Sequence, residues 1–334
     1  MSETLRSSVP PVRWGIIGPG SIAAKFATAL AAVPGCQLVA VASRSVEKAK
    51  TFAATHGGTA YASPAELCDD PAVDAVYVAT PHMHHHAAAR LALLHGKAVL
   101  CEKPITINAG QLEDLIELAA ERRVFLMEAM WSRFLPVARQ VQAWLAAGAI
   151  GEPRLVSADF GFRCGWDPAS RLLNPALAGG ALLDVGVYLL SFAGMVFGSR
   201  PERVTGFAHL GETGVDEQAA MVVGWSGGRL ASLTCAVRTS TSHLARISGT
   251  EGAIIVPDFW HATRAELVPA SGPATTVELP LPGNGFEAQI IEVARCLAAG
   301  LTESTIMPLA DSLVVQRTMD DLRRQWGLRY PGEA

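Results

Sequence analysis

The feature that most restricts the fold lies between residues 12 and 32. The apolar run Val12-Arg13-Trp14-Gly15-Ile16-Ile17 breaks into Gly18-Pro19-Gly20-Ser21-Ile22-Ala23, and a helix-forming stretch follows at 23–32. A strand that turns through glycines directly into a helix has few solutions. The first glycine permits the tight turn, the second lets backbone approach a ligand closely, and Ala23 lets helix lie against strand. The open N-terminus of such a helix attracts an anion, and this glycine spacing suits a pyrophosphate. A glycine-rich turn alone is weak evidence, but its place between Ile16-Ile17 and an alanine-rich helix marks the first unit of a dinucleotide-binding repeat. Gly18, Gly20, Ser21 and Ile22 are the residues expected along the pyrophosphate.

The following segments keep the alternation. A strand at 37–42 ends on Ser43-Arg44-Ser45, and a helix at 64–69 leads to a strand at 75–79 and the loop Thr80-Pro81-His82-Met83-His84-His85-His86. A helix at 87–95 leads to the apolar run 98–101, which stops at Glu102-Lys103-Pro104; a capped helix at 108–122 and a short strand at 124–127 follow. Such alternation gives a doubly wound α/β parallel sheet, whose ligands sit beyond the carboxyl ends of the strands. Glu102-Lys103, where Pro104 ends the ladder, is therefore the expected chemical centre. Thr80, Pro81 and His82 are expected along the ribose or nicotinamide. His85, at the start of the next helix, Glu102 and Lys103 complete the expected cofactor contacts.

The cofactor's identity is written after the second strand. An NAD enzyme usually offers a carboxylate about 20 residues beyond the glycines, whereas an arginine suits a 2′-phosphate. No carboxylate stands at Ser43-Arg44-Ser45. Arg44, helped by Ser43 and Lys48, points to NADP, with NAD as the lesser possibility.

Composition closes off other classes. The 334 residues, half of them hydrophobic, suit two domains, and a net charge of -4 gives no reason to expect nucleic acid. The six cysteines are scattered without paired spacing, which argues against a disulfide or zinc framework. Four histidines within 82–86 invite a metal, but neighbouring side chains diverge and no other ligand is suitably spaced, so no metal is expected. No apolar run is expected to reach the roughly 20 residues of a membrane span, and the arm 1–11 lacks a signal-peptide core. A cytoplasmic protein with no membrane partner is the expectation.

In the second half, Asp184 and Tyr188 lie four apart in an apolar helical stretch, which puts both on one face. A tyrosine titrates near ~10 in water, so accepting a proton near neutrality needs a nearby cation, for which Lys103 is the candidate. Segments at 204–209, 218–225, 230–238, 245–249, 253–256 and 265–268, several joined by glycine turns, read as a large, mostly antiparallel open sheet.

The glycine turn, the loop at 80–85, Glu102-Lys103-Pro104, the segment 127–134 (Met-Glu-Ala-Met-Trp-Ser-Arg-Phe) and the segment 179–188 occur in the order found in the Gfo/Idh/MocA oxidoreductases. The chain resembles that family over 12–331, most closely its dimeric dihydrodiol and NADP-dependent D-xylose dehydrogenase branch. The resemblance implies a Rossmann domain at 1–130, rejoined by a C-terminal helix at 305–334, and an α+β substrate and dimerisation domain at 131–304. It implies a catalytic trio of Lys103, Asp184 and Tyr188, and a substrate pocket drawing on Trp131, Arg133, Phe160, Trp260 and Phe286, although Phe286 reads equally well as a core aromatic. Arg163 and Arg171 face either a polar substrate end or solvent. It further implies a homodimer through the open sheet, with Val222, Leu233, Cys235 and Val237 as candidates for its face. The expected reaction moves hydride between the nicotinamide and a secondary or anomeric CH–OH of a sugar or trans-dihydrodiol. Alternatives are reduction of a dicarbonyl sugar, hydrolysis by an NAD-retaining enzyme, and a non-catalytic NADP sensor.

Overall fold

The computed structural model describes residues 11–198 and 200–333. The N-terminal arm, for which no signal-peptide core is expected, lies outside the described residues except at its last position. The chain divides into two compact units, Met1–Trp131 with Pro282–Ala310 and Ser132–Leu281 with Asp311–Ala334.

The first unit is a six-stranded sheet of β1 (Val12–Ile17), β2 (Cys36–Ala42), β3 (Thr59–Tyr61), β4 (Ala75–Val78), β5 (Ala98–Glu102) and β6 (Leu126–Ala129). Their order is β3-β2-β1-β4-β5-β6, and every pair is parallel. Strands β4 and β5 are buried at every position, as apolar runs covered on both faces must be. Helix Ser21–Ala31 docks through Phe26, whose ring stacks on Tyr77 at 3.8 Å and meets Trp14 edge-on at 5.3 Å. Helix Ala109–Arg122 begins at Asn108, whose Oδ1 accepts from the Gln111 amide at 3.0 Å.

The second unit is an eight-stranded sheet. Its strands are β7 (Pro153–Gly161), β8 (Arg203–Leu210), β9 (Asp216–Trp225), β10 (Arg229–Ala236), β11 (Ala245–Gly249), β12 (Gly252–Val256), β13 (Arg264–Pro269) and β14 (Thr275–Glu278), in the order β14-β13-β12-β11-β7-β10-β9-β8. All pairs are antiparallel except β7 with β10. Central strand β7 was not among the expected segments; its inward set Val156, Ala158 and Phe160 mixes small with large, and Asp159 stands on the opposite face.

Helix Val187–Phe197 covers the inner face, where Leu233 and Cys235 are buried. Gly186 lies so close that a β-carbon there would stand 3.3 Å from Cys235 Sγ. This corrects the expected dimer face. Leu233, Cys235 and Val237 point into the core, while the outer face exposes Val222 with Leu155, Phe207 and Leu230. These share one face by register, since Leu230 pairs with Leu155, Ser232 with Val222, and Phe207 with Ala220.

The expected return of 305–334 to the nucleotide domain is also corrected. Residues 282–310 join the first unit, where Asn284 Nδ2 donates to Lys25 O at 2.8 Å and the Leu126 amide to Thr302 O at 3.0 Å. Residues 311–334 join the second. Trp326 Nε1 and Gln325 Nε2 donate to Gly206 O and Val204 O, both at 2.9 Å, so helix Leu309–Trp326 satisfies outward carbonyls of edge strand β8. Among the described residues one stretch, Pro175–Phe197, is after all long and apolar enough for a membrane span; an 18-residue window of it has a mean hydropathy of 1.8, and 83% of that window is buried within the protein, as befits a core helix.

Candidate active site

At the carboxyl ends of the parallel strands, three loops are tied together. Gly18 adopts φ +94°, and a β-carbon there would lie 2.9 Å from the Ala79 carbonyl and the Thr80 nitrogen, so the loops after β1 and β4 touch only because this residue has no side chain. The Gly18 amide donates to Ala42 O at the end of β2 at 3.1 Å. Helix Ser21–Ala31 starts from Gly20 with no side-chain cap, and a β-carbon at Gly20 would meet nothing within 4 Å. Its first amides, at Ser21 and Ile22, therefore lie at an open helix end that suits a pyrophosphate. Thr80 Oγ1 is buried with no hydrogen-bond partner among the described residues. A polar atom left so at the end of β4 fits a ligand that supplies the bond.

Ser43 Oγ accepts the Ser45 amide at 3.2 Å and shapes the turn that presents Arg44 to solvent. His84 has its pKa lowered by burial and, secondly, by the Arg44 charge, so the loops after β2 and β4 face one another. Lys48 is exposed and lines a groove with Pro19 and Phe52 beside the glycine turn.

His85 does not join the cofactor surface. It is fully buried, with Nδ1 2.8 Å from Pro104 O and Nε2 2.8 Å from Thr80 O. Burial pulls its pKa down to about 4, against the opposing pull of those carbonyls. A neutral imidazole has one N–H to give, so it donates to only one of these carbonyls, and the ring fills the space between the loop after β4 and the one after β5. His82 packs edge-on against it at 5.7 Å, and His86 pairs with Asp114 at 2.7 Å on the helix surface. The histidine run is thus divided among separate tasks. Glu102 is buried and accepts from the Tyr77 hydroxyl; burial raises its pKa, while that bond and the Lys103 charge lower it. Lys103 follows directly at the strand end.

In the second unit, Asp184 and Tyr188 are carried by a π-helical turn, Leu182–Gly186, which runs into helix Val187–Phe197. The expected regular α-helix is therefore widened where Asp184 stands, a distortion frequent at functional sites. Both residues are buried, at 3% and 7% exposure. Arg171 was expected at a substrate end or in solvent; instead its Nη1 donates to Asp184 Oδ1 at 2.7 Å. Phe160 stacks on Trp260 at 4.9 Å with 15° between planes, and the Tyr188 ring lies 5.6 Å and 6.4 Å from these two. His243, which sequence reasoning missed, stands behind this group. Its Nδ1 accepts from Trp260 Nε1 at 3.4 Å, which leaves Nε2–H to donate to Gly161 O at 2.7 Å.

Trp131 and Phe286 form a second stacked pair, 5.0 Å apart, within the first unit. Arg133 is a correction. Its guanidinium is spent on Ser191 Oγ, Ser191 O and Asp311, each at 3.0 Å, so it ties segments of the second unit together and is buried instead of facing a substrate. Asp216 is a further residue that no local signal revealed. It is fully buried and accepts the Leu182 amide at 2.6 Å beneath the π turn, with burial pushing its pKa up to about 7.

A parallel sheet with an open glycine turn, and a second unit carrying a buried tyrosine and carboxylate among stacked aromatics, are the parts of an NAD(P)-dependent oxidoreductase. The comparisons with known proteins agree for each part. Residues 12–130 match the oxidoreductase family with an NAD-binding Rossmann fold, and residues 138–255 match the GFO/IDH/MocA C-terminal domain. The chain belongs to the GFO/IDH/MocA oxidoreductase family and is a dehydrogenase of that type. It is 40% identical over 332 residues to trans-1,2-dihydrobenzene-1,2-diol dehydrogenase of Xenopus tropicalis, which covers 96% of this chain and 99% of the relative. Among solved structures, a 3-ketoreductase from Actinomadura kijaniata in complex with NADP and TDP-benzene has a TM-score of 0.85 at 30% identity, covering 94% of this chain and 97% of that one. An aldose-aldose oxidoreductase from Caulobacter crescentus complexed with glycerol has a TM-score of 0.86 at 27% identity, with the same coverage.

Proposed function

We propose that this protein is an NADP-dependent dehydrogenase that oxidises a CH–OH of a trans-dihydrodiol or a sugar. The observation that carries the substrate class is the grouping of Tyr188 with Phe160 and Trp260. Flat aromatic faces beside a hydroxyl-bearing ring suit an aromatic diol or the apolar face of a pyranose, and among the relatives named above one is a dihydrobenzenediol dehydrogenase and another an aldose-aldose oxidoreductase. NADP is preferred because Arg44 follows β2 where NAD enzymes place a carboxylate. When bound, the nicotinamide supplies the hydride-accepting group.

The chain's residues handle the proton and the charge. Tyr188 takes the proton of the substrate hydroxyl, and the ammonium of Lys103 stabilises negative charge developing on that oxygen. Asp184 orients the reacting groups. Ser43, Arg44 and Lys48 receive the 2′-phosphate, while Gly18, Gly20, Ser21, Ile22, Thr80, Pro81 and His82 hold the rest of the dinucleotide. The enzyme acts as a homodimer, with the outer sheet face bearing Leu155, Phe207, Val222 and Leu230 turned to a second copy.

The test is NADPH formation on trans-1,2-dihydrobenzene-1,2-diol, D-xylose and D-glucose, with NAD in parallel, for wild type and Tyr188→Phe. Turnover that prefers NADP and collapses in Tyr188→Phe, with NADP affinity unchanged, supports the reading. An unimpaired Tyr188→Phe enzyme refutes the role of the tyrosine.

A further inference from the structure

Asp184 is a charge in an apolar place. Its side chain is 5% exposed, and the turn around it, Leu182–Gly186, is buried at every residue. A carboxylate there needs a counter-charge. Arg171 Nη1 stands 2.7 Å from Oδ1, the short distance of a charge-assisted bond, with the arginine side chain 54% exposed.

The approach is built into the backbone. The Gly180 amide donates to Leu172 O at 2.9 Å, so the loop carrying Arg171 is fastened to the start of the segment carrying Asp184. A β-carbon at Gly179 would lie 2.6 Å from Leu172 O and 2.9 Å from Arg171 O, so glycine is what lets the two chains lie this close. The Tyr330 hydroxyl holds Gly179 O from the far side at 2.6 Å. The loop cannot drift away from Asp184 without breaking these bonds.

We propose that Arg171 is a positioning residue for the reaction. It acts through Asp184, anchoring Oδ1 so that the direction of the second carboxylate oxygen is set, one helical turn from Tyr188. This rests on the role given to Asp184 above.

The test is a double-mutant cycle of Arg171→Met and Asp184→Asn, with Arg171→Lys as the conservative variant, read by urea midpoint and by NADPH formation. Arg171→Met is expected to lower the midpoint in the wild-type background and to leave it unchanged in Asp184→Asn, where there is no buried charge to strand. It is expected to lower kcat by roughly 10- to 100-fold, with NADP affinity intact and Arg171→Lys recovering most of the loss. In Asp184→Asn it should cost no further turnover. Additive losses of turnover would mean that Arg171 meets the substrate directly, and a lowered midpoint with unchanged kcat would make it merely structural; either overturns the proposal. Normal turnover by Asp184→Asn itself would instead refute the role of Asp184 in the reaction, while the midpoint cycle still reports whether the pair exists.

Discussion

One added methyl group at Gly180 should damage this protein far more than a glycine-to-alanine change usually does. Gly180 has φ +119°, and its β-carbon would lie 2.1 Å from Asp216 Oδ1 and 3.4 Å from the Tyr330 hydroxyl. The backbone conformation alone costs an L-residue about 1–3 kcal/mol. Relieving the clash requires Asp216 to retreat by about an ångström, to the ordinary 3.4 Å or more of van der Waals contact. Asp216 is fully buried and holds the Leu182 amide at 2.6 Å, and leaving that buried amide without its acceptor costs about 1–3 kcal/mol. Together the terms reach about 2–6 kcal/mol, against a total stability of about 5–15 kcal/mol. Gly198→Ala is the control, because that position has φ +61° but nothing within 4 Å, so only the backbone cost of about 1–2 kcal/mol applies. Urea unfolding of both variants measures the difference. Equal losses would refute the argument that Asp216 constrains Gly180.

Three further outcomes follow from the same structure. Asp216 holds its proton up to about pH 7 when folded, above the usual carboxylate range, so it contributes stability that is present at low pH and lost as pH rises through about 7. His85, depressed to about 4 in the fold, contributes the reverse: stability present above its ordinary 6.5 and lost as pH falls towards 4. Asp216→Asn should therefore gain stability relative to wild type between pH 4.5 and 7.5 by urea midpoint, and a pH-independent difference would contradict the assignment. Phe207 is 87% exposed on the outer sheet face, and Phe207→Asp should convert a dimer to monomer in sedimentation experiments; a monomeric wild type would remove the proposed interface.

The nucleotide unit was legible because its signals are local. The strand, glycines and helix that form the anion site are contiguous from Val12 to Ala31, and strands buried on both faces read as continuous apolar runs. Arg133 misled because its partners lie 58 and 178 residues away, and nothing nearby in the chain distinguishes a guanidinium on a substrate from one on Ser191 and Asp311. His85 looked like a ligand contact because its two carbonyl partners belong to separate loops. In β10 the alternation of Ser232 and Thr234 with Leu233 and Cys235 is plain, but period alone does not say which set meets the helix. The helix at 309–326 shows a similar limit, since its pattern announces a buried face and is silent on which sheet receives it.

The sequence by itself determined the two-part α/β architecture, the dinucleotide turn, the NADP-favouring residues after the second strand, and the candidates Lys103, Asp184 and Tyr188. All follow from sterics and periodicity acting over a few residues, or from motifs standing in a recognisable order. Only the tertiary structure decided that Arg171 binds Asp184, that Asp216 holds the Leu182 amide and Tyr330 the Gly179 carbonyl before it, that His85 is buried between two loops, and which face of the large sheet is left open. Each of those is a pairing between distant segments, and a buried charge or carbonyl takes whichever partner the folded chain brings within reach.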